Sequence, residues 1–240
     1  MPYLVPQFPE LTLRDYFGVF DDFAHYVTAD DFTTVATDSG TIADGDYTGG
    51  AVAIAASDAT EVDNDETYLK GTQEIYKFAA DKPLVFEARV KPVANTIGNA
   101  NFIVGIKDAV AANTLVDDGA GPASSYGGAV FFAIDGDTTW WCESSIAGTQ
   151  TTVDSGVTVT NNTYTTLRIE YRPISSTVGE VHYFIDGVEK GKETSGENFK
   201  AQTVTFASAT DMQICLGTKD GANNNGATLY VDYVGCWQKR

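Results

Sequence analysis

Polar and apolar positions alternate most clearly between Thr163 and Lys190. Leu167, Ile169 and Tyr171 interleave with Arg168 and Glu170, the period of two expected of a half-buried strand. A second apolar run, Val181 to Ile185, ends at Asp186-Gly187, a dipeptide suited to a type I′ hairpin because both central residues need positive φ. Val188 and Glu189 then start a return strand. The stretch predicts three adjacent antiparallel strands. The second is apolar at successive positions and is expected mid-sheet, covered on both faces.

The same period recurs along the chain. Leu84, Phe86, Ala88 and Val90 share a face, as do Phe102, Val104 and Ile106. Ala129 to Ile134 is apolar on both faces and turns at Asp135-Gly136 into Thr138 to Ser144. Shorter segments at Val19–Phe23, Phe32–Thr37, Thr41–Ala43 and Ala51–Ala55 come first, and Thr203–Ala207, Met212–Gly217 and Leu229–Trp237 close the chain. Val153–Thr160 reads as a polar edge, and Asp108–Gly128 as a long loop. Many short strands between turn signals predict an all-β fold, an antiparallel β-sandwich of the jelly-roll type. Its inward residues should include Phe86, Val104, Phe132, Leu167, Ile169, Tyr183, Ile185, Leu216 and Val231.

Residues 1–18 depart from this pattern. Pro2, Pro6 and Pro9 interrupt regular structure, yet Tyr3, Leu4, Val5, Phe8, Leu11, Leu13, Tyr16 and Phe17 are strongly apolar. Leu13, Tyr16, Phe17 and Phe20 fall at helical spacing ahead of and beyond Gly18, which suggests a short helix from Glu10 to Phe17 with Gly18 as its cap. The division expected is an apolar N-terminal arm, 1–18, and a sandwich domain, 19–240. The arm either packs on its own domain or docks on another chain.

The formal charge of −18 and pI near 4.2 disfavour nucleic acid and anionic membranes as partners. Cys142, Cys215 and Cys236 form no pairing pattern and lie in apolar strands, so buried free thiols are expected, consistent with a reducing cytoplasm. The N-terminus lacks a basic region followed by an apolar run, and no apolar stretch approaches the ~20 residues that span a bilayer.

Three constellations could carry chemistry. Glu61-Val62-Asp63-Asn64-Asp65-Glu66 matches the E-x-D-x-x-E pattern of retaining β-glucanases, which need two carboxylates about 5 Å apart. Its polar flanks and the turn-prone Asn64-Asp65 favour a solvated turn instead. Asp44/Asp46, Asp63/Asp65 and Asp135/Asp137 are acidic pairs with ligands for Ca²⁺ but without a full loop spacing. Neither a metal nor a cofactor is expected. Trp140-Trp141 must place one ring inward and one outward; the outward ring could stack on a sugar or fill an interface, but a covered second face is the preferred expectation.

YTTLRIEY, the hairpin VHYFIDGVEKGKET, the closing LYVDYVGCW and the opening FDDF together resemble the concanavalin A-like superfamily, more narrowly laminin-G-type jelly rolls. That resemblance implies that the first and last strands are sheet neighbours. NDETYLKGTQEIYKFAADKPLVFEARVK, IVGIKDA, YGGAVFFAIDG and VDYVGCWQKR are in addition similar to jelly-roll proteins encoded beside the major capsid protein of tailed bacteriophages, taken to be decoration (cement) proteins. The likeness implies a non-enzymatic virion protein on the capsid outer surface, assembled in the host cytoplasm. Its expected partners are the major capsid protein and further copies of itself, with the arm residues named above as contacts. The alternatives are a glycan-binding, lectin-like module and, behind it, a glycoside hydrolase using Glu61 and Glu66.

Overall fold

The structure, a computed structural model, describes residues 15–27, 30–38, 40–45, 49–57, 60–190, 201–222 and 224–240. The first strands are β1 (Tyr16–Asp21), β2 (Phe32–Thr37), β3 (Thr41–Asp44), β4 (Val52–Ala55), β5 (Glu66–Gly71) and β6 (Leu84–Val93). The middle of the chain gives β7 (Ala100–Lys107), β8 (Leu115–Val116), β9 (Gly121–Pro122), β10 (Gly128–Ala133), β11 (Thr139–Ile146) and β12 (Thr149–Thr158). The last six are β13 (Thr165–Pro173), β14 (Val178–Ile185), β15 (Val188–Lys190), β16 (Gln202–Thr205), β17 (Gln213–Asp220) and β18 (Thr228–Lys239). Among the described residues helix is confined to two 3₁₀ turns, Ile97–Asn99 and Phe206–Ser208, and no helix there is long and apolar enough to cross a membrane.

Two antiparallel sheets pack face to face. The nine-stranded sheet runs β15-β14-β13-β6-β18-β4-β3, with β1 also on β18 and β16 on β14. The seven-stranded sheet runs β12-β11-β10-β7-β17-β5-β2. The core between them is built from alternate positions. Ile169 sits opposite Phe86 on one side and Tyr183 on the other, and all three are buried. Phe131 meets Tyr183 edge-on across the sheets, with ring centroids 5.2 Å apart. Val104, Leu167, Ile185, Leu216 and Val231 belong to the same cluster, as expected.

The first and last strands are neighbours, Val19 facing Cys236 and Phe20 facing Gly235. β1 starts earlier than its sequence suggests. Tyr16 and Phe17 are strand residues rather than the end of a helix, and Gly18 is no helix cap. A Cβ at Gly18 would stand 2.2 Å from the Cys236 carbonyl oxygen, so the close approach of β1 to β18 requires glycine there. Phe17 stacks on Tyr76 with centroids 5.9 Å apart, and the Arg240 guanidinium lies over the Phe17 ring. The other expected arm contacts, Tyr3, Leu4, Val5, Phe8, Leu11 and Leu13, lie outside the described residues.

Two further expectations need correction. β14 is paired on both edges, but its outward residues Glu180, His182 and Phe184 are only half-buried. Its outer face carries polar side chains, with His182 Nδ1 2.6 Å from Glu189 Oε1, instead of a second core. Phe132 is buried on the outer face of the seven-stranded sheet, not between the sheets. Cys142, Cys215 and Cys236 are free and buried, and burial pushes the Cys215 thiol up to about 12.

Candidate functional site

The outer face of the seven-stranded sheet has its own apolar layer. Strands β5, β7, β10 and β17 send Tyr68, Ile103, Val130, Phe132 and Cys215 to that side. Residues 108–127 fold over them as a strap, which explains why β7 and β10 are buried at every position. Val110, Leu115 and Tyr126 of the strap are buried in this layer. The irregular stretch expected to be a long loop is therefore a packed cover.

A buried cation fastens the strap. The Lys219 ammonium, from β17, donates to Asn113 Oδ1 at 2.9 Å, to the Leu115 carbonyl at 3.2 Å, to Glu66 Oε2 at 3.4 Å and to Asp117. Glu66 also accepts from the Asn113 N–H at 2.7 Å and from the Tyr68 hydroxyl at 2.7 Å, and that hydroxyl accepts the Leu115 N–H. Burial first, then the adjoining Glu66 charge, pushes the Tyr68 phenol well above its ordinary range. Each polar group is satisfied, as burial demands. Glu66 is thus no solvated turn residue: it is a β5 strand residue, 2% exposed, opposite Lys219.

Beside the strap the sheet is open. A groove of about 520 Å³ lies between Val116, Ala120, Pro122 and Ser124 of the strap and the outer face of β10, β11 and β12. Its floor is Trp141 stacked on Phe132, centroids 6.4 Å apart and planes 21° apart. The Trp141 indole N–H donates to Asp137 Oδ2 at 3.0 Å, which fixes the ring's orientation. Trp140 is wholly buried in the inter-sheet core and Trp141 is half-buried in the groove, so alternation splits the pair. A register shift between them sets Trp140 opposite Val157 and Trp141 opposite Asp154. Glu143 forms the polar wall. It accepts from Tyr126 Oη at 2.8 Å, Gln150 Nε2 at 2.8 Å and the Thr152 hydroxyl.

The groove can hold a flat, partly apolar ligand on an aromatic floor and offer oxygen acceptors along one side. Glu143 is its one lining carboxylate, so its walls hold no carboxylate pair of the glycosidase kind. Glu61 and Glu66 do not converge there. Glu66 lies beneath the strap, while Glu61 abuts Gly226 at the end of the sandwich. Of the acidic pairs, Asp137 holds Trp141 and Asp65 is buried against the Val62 N–H. Asp44 accepts the Tyr26 N–H, and Asp46 lies outside the described residues. Among the described residues no group of three or more His, Cys, Asp or Glu side chains is placed to hold a metal ion. The sequence singled out the tryptophan pair, but it gave no sign that Phe132, Glu143, Gln150 and Thr152 would join it.

The end of the sandwich near Glu61 carries a pH-dependent strut. Asp220 is fully buried, accepts the Ala227 N–H at 2.7 Å and meets the Ser57 hydroxyl. Burial, helped by the charges of Asp65 and Glu61, pushes its carboxyl up to about 6. A carboxyl held above its unfolded value favours the folded state below that value, and the advantage is lost as pH rises through the folded value. Stability from this residue should therefore fall between about pH 4 and pH 7, by up to about 3 kcal/mol. Asp220→Asn keeps an acceptor for Ala227. It is expected to melt above the wild type at pH 7.5 and to converge with it near pH 4. A constant difference between the two melting curves across that range would remove Asp220 as the source.

No protein-family model matches the chain, and no curated protein matches its sequence. Solved structures do match. The endo-1,3-β-glucanase of Streptomyces sioyaensis superposes with a TM-score of 0.59 at 15% identity, over 94% of this chain and 97% of that one. The carbohydrate recognition domain of Emp47p gives 0.58 at 11% identity, over 96% and 100%. The endo-β-1,4-glucuronan lyase of Trichoderma reesei gives 0.60 at 10% identity, over 91% and 94%. The fold is the concanavalin A-like jelly roll. At these identities the likeness fixes the architecture and leaves the function to be argued from the site.

Proposed function

We propose that the protein is a carbohydrate-binding module whose ligand lies in the groove between the strap and strands β10 to β12. The observation that carries this is Trp141, half-exposed on a floor it shares with Phe132 and locked by its hydrogen bond to Asp137. A pyranose presents a C–H face that packs on such a ring and hydroxyls that reach polar neighbours, the mix of apolar floor and few polar groups typical of ligand sites. Ser124, Gln150 and Thr152 stand at the rim to receive them, with Glu143 buried behind Gln150 and Thr152. Jelly rolls of this architecture include a carbohydrate recognition domain and two glycan-acting enzymes, which supports the reading by analogy. A single lining carboxylate favours binding over hydrolysis.

A second reading, decoration of a phage shell, has its own support on the opposite face. Phe20 is 44% exposed there and stacks with Trp237, centroids 6.3 Å apart, beside Tyr233. Exposed aromatic groups of this kind suit a protein interface. The two readings are separated by one measurement on a glycan array followed by titration of the hits. Binding is expected to weaken about 10- to 100-fold in Trp141→Ala, the equivalent of about 1.4–2.7 kcal/mol, with the melting temperature little changed. A chain that binds no glycan but co-sediments with phage shells would put the decoration reading in its place.

A further inference from the structure

We infer that the groove selects uncharged glycans and excludes uronates and other anionic saccharides, an inference that rests on the carbohydrate reading above. None of the side chains lining the groove is Lys, Arg or His, and the one charged group is Glu143. Glu143 is 3% exposed and already accepts from Tyr126, Gln150 and Thr152, so what it brings to the groove is a buried negative charge with no lining cation beside it. A ligand carboxylate would therefore meet a like charge that no lining cation offsets, whereas the hydroxyls of a neutral sugar would not.

Three lysines among the described residues lie on this face: Lys70 on β5, opposite Cys215, is separated from β10 by β17 and β7, and the other two are already committed. Lys219 is consumed by Glu66, Asn113, the Leu115 carbonyl and Asp117. Lys107 is buried, donates to the carbonyls of Asp108 and Ala109, and lies 5.0 Å from the centre of the Tyr126 ring. None of the three lines the groove. Beside Trp141 stand Asp137, which accepts its indole N–H, and its cross-strand neighbour Asp154, on a chain whose net charge is −18. Two like charges about 5 Å apart in an effective dielectric of about 20 repel enough to lower affinity by roughly 100-fold. The fold itself does not dictate this choice, since it also serves a glucuronan lyase.

The test uses the full chain and two panels of oligosaccharides of equal length. One is neutral, the gluco-, manno- and xylo-hexaoses. The other is anionic, the hexamers of glucuronate, galacturonate and mannuronate. Titration calorimetry at low and physiological salt is expected to give binding in the neutral panel and at least about 100-fold weaker binding in the anionic one. Thr152→Lys places a cation on the rim of an edge strand, and should narrow that gap about 10-fold at low salt and less at high salt. An anionic oligosaccharide bound as tightly as a neutral one, and lost in Trp141→Ala, would overturn the inference and leave the carbohydrate reading standing. Absence of binding in both panels would remove both.

Discussion

Replacing Lys219 by methionine is expected to lower the melting temperature by on the order of 10 °C. Methionine has similar bulk, so the effect is electrostatic. Glu66 is 2% exposed and would keep its Tyr68 and Asn113 donors but lose its cation. Removing one partner of a buried pair costs about 3–5 kcal/mol, because the other charge is left uncompensated. In a domain of this size each kcal/mol moves the melting temperature by roughly 2–4 °C. The double variant Lys219→Met with Glu66→Gln removes both charges and should recover much of the loss, a coupling that independent sites would not show. Glu66→Gln alone is expected to destabilise, contrary to the silent change a solvated turn would give. Scanning calorimetry of the three variants decides the matter. If Lys219→Met melts within about 2 °C of the wild type, the cluster does not hold the strap.

The sandwich was legible wherever one face is buried and the other wet. Leu167, Ile169 and Tyr171 alternate with Arg168, Thr166 and Glu170 because the inner set meets Phe86 and Tyr183 while the outer set meets water and its own ion pairs. The Asp186-Gly187 hairpin was equally local: Asp186 and Gly187 have φ of 50° and 78°. The site was less legible, for two reasons. Where a strand is covered twice, alternation is erased, and Phe132 in an unbroken apolar run cannot reveal which layer it enters. The strap, moreover, is held by contacts between distant residues. Lys219 and Glu66 are 153 residues apart, and Val110, Leu115 and Tyr126 follow no regular period. The acidic motif illustrates the second reason. Its flanks predict a turn correctly as far as Asp65, but Glu66 is the first residue of β5, and only the distant Lys219 explains its burial.

Shortening Trp140 to alanine is expected to be about as damaging as losing Lys219, by a different cause. Trp140 is the largest fully buried side chain, at 0% exposure in the core between the sheets. Removing an indole from such a place costs about 3–5 kcal/mol through lost burial and the cavity left behind. Trp140→Phe should be far milder, and the contrast is diagnostic. The buried Trp140 Nε1 has no hydrogen-bond partner in the structure, so phenylalanine gives up part of the ring but also removes an unsatisfied donor, a group that costs about 1–3 kcal/mol when left unpaired. The expected order of melting temperatures is therefore wild type and Trp140→Phe close together, with Trp140→Ala on the order of 10 °C below. Because Trp141 keeps its stack on Phe132 and its bond to Asp137, glycan titration of the phenylalanine variant should match the wild type. A Trp140→Phe protein that melts as low as Trp140→Ala would mean that the indole N–H is paired after all and that this part of the core is held by a polar contact. Loss of binding in that variant would instead show that the ring on the inner face sets the position of the ring in the groove.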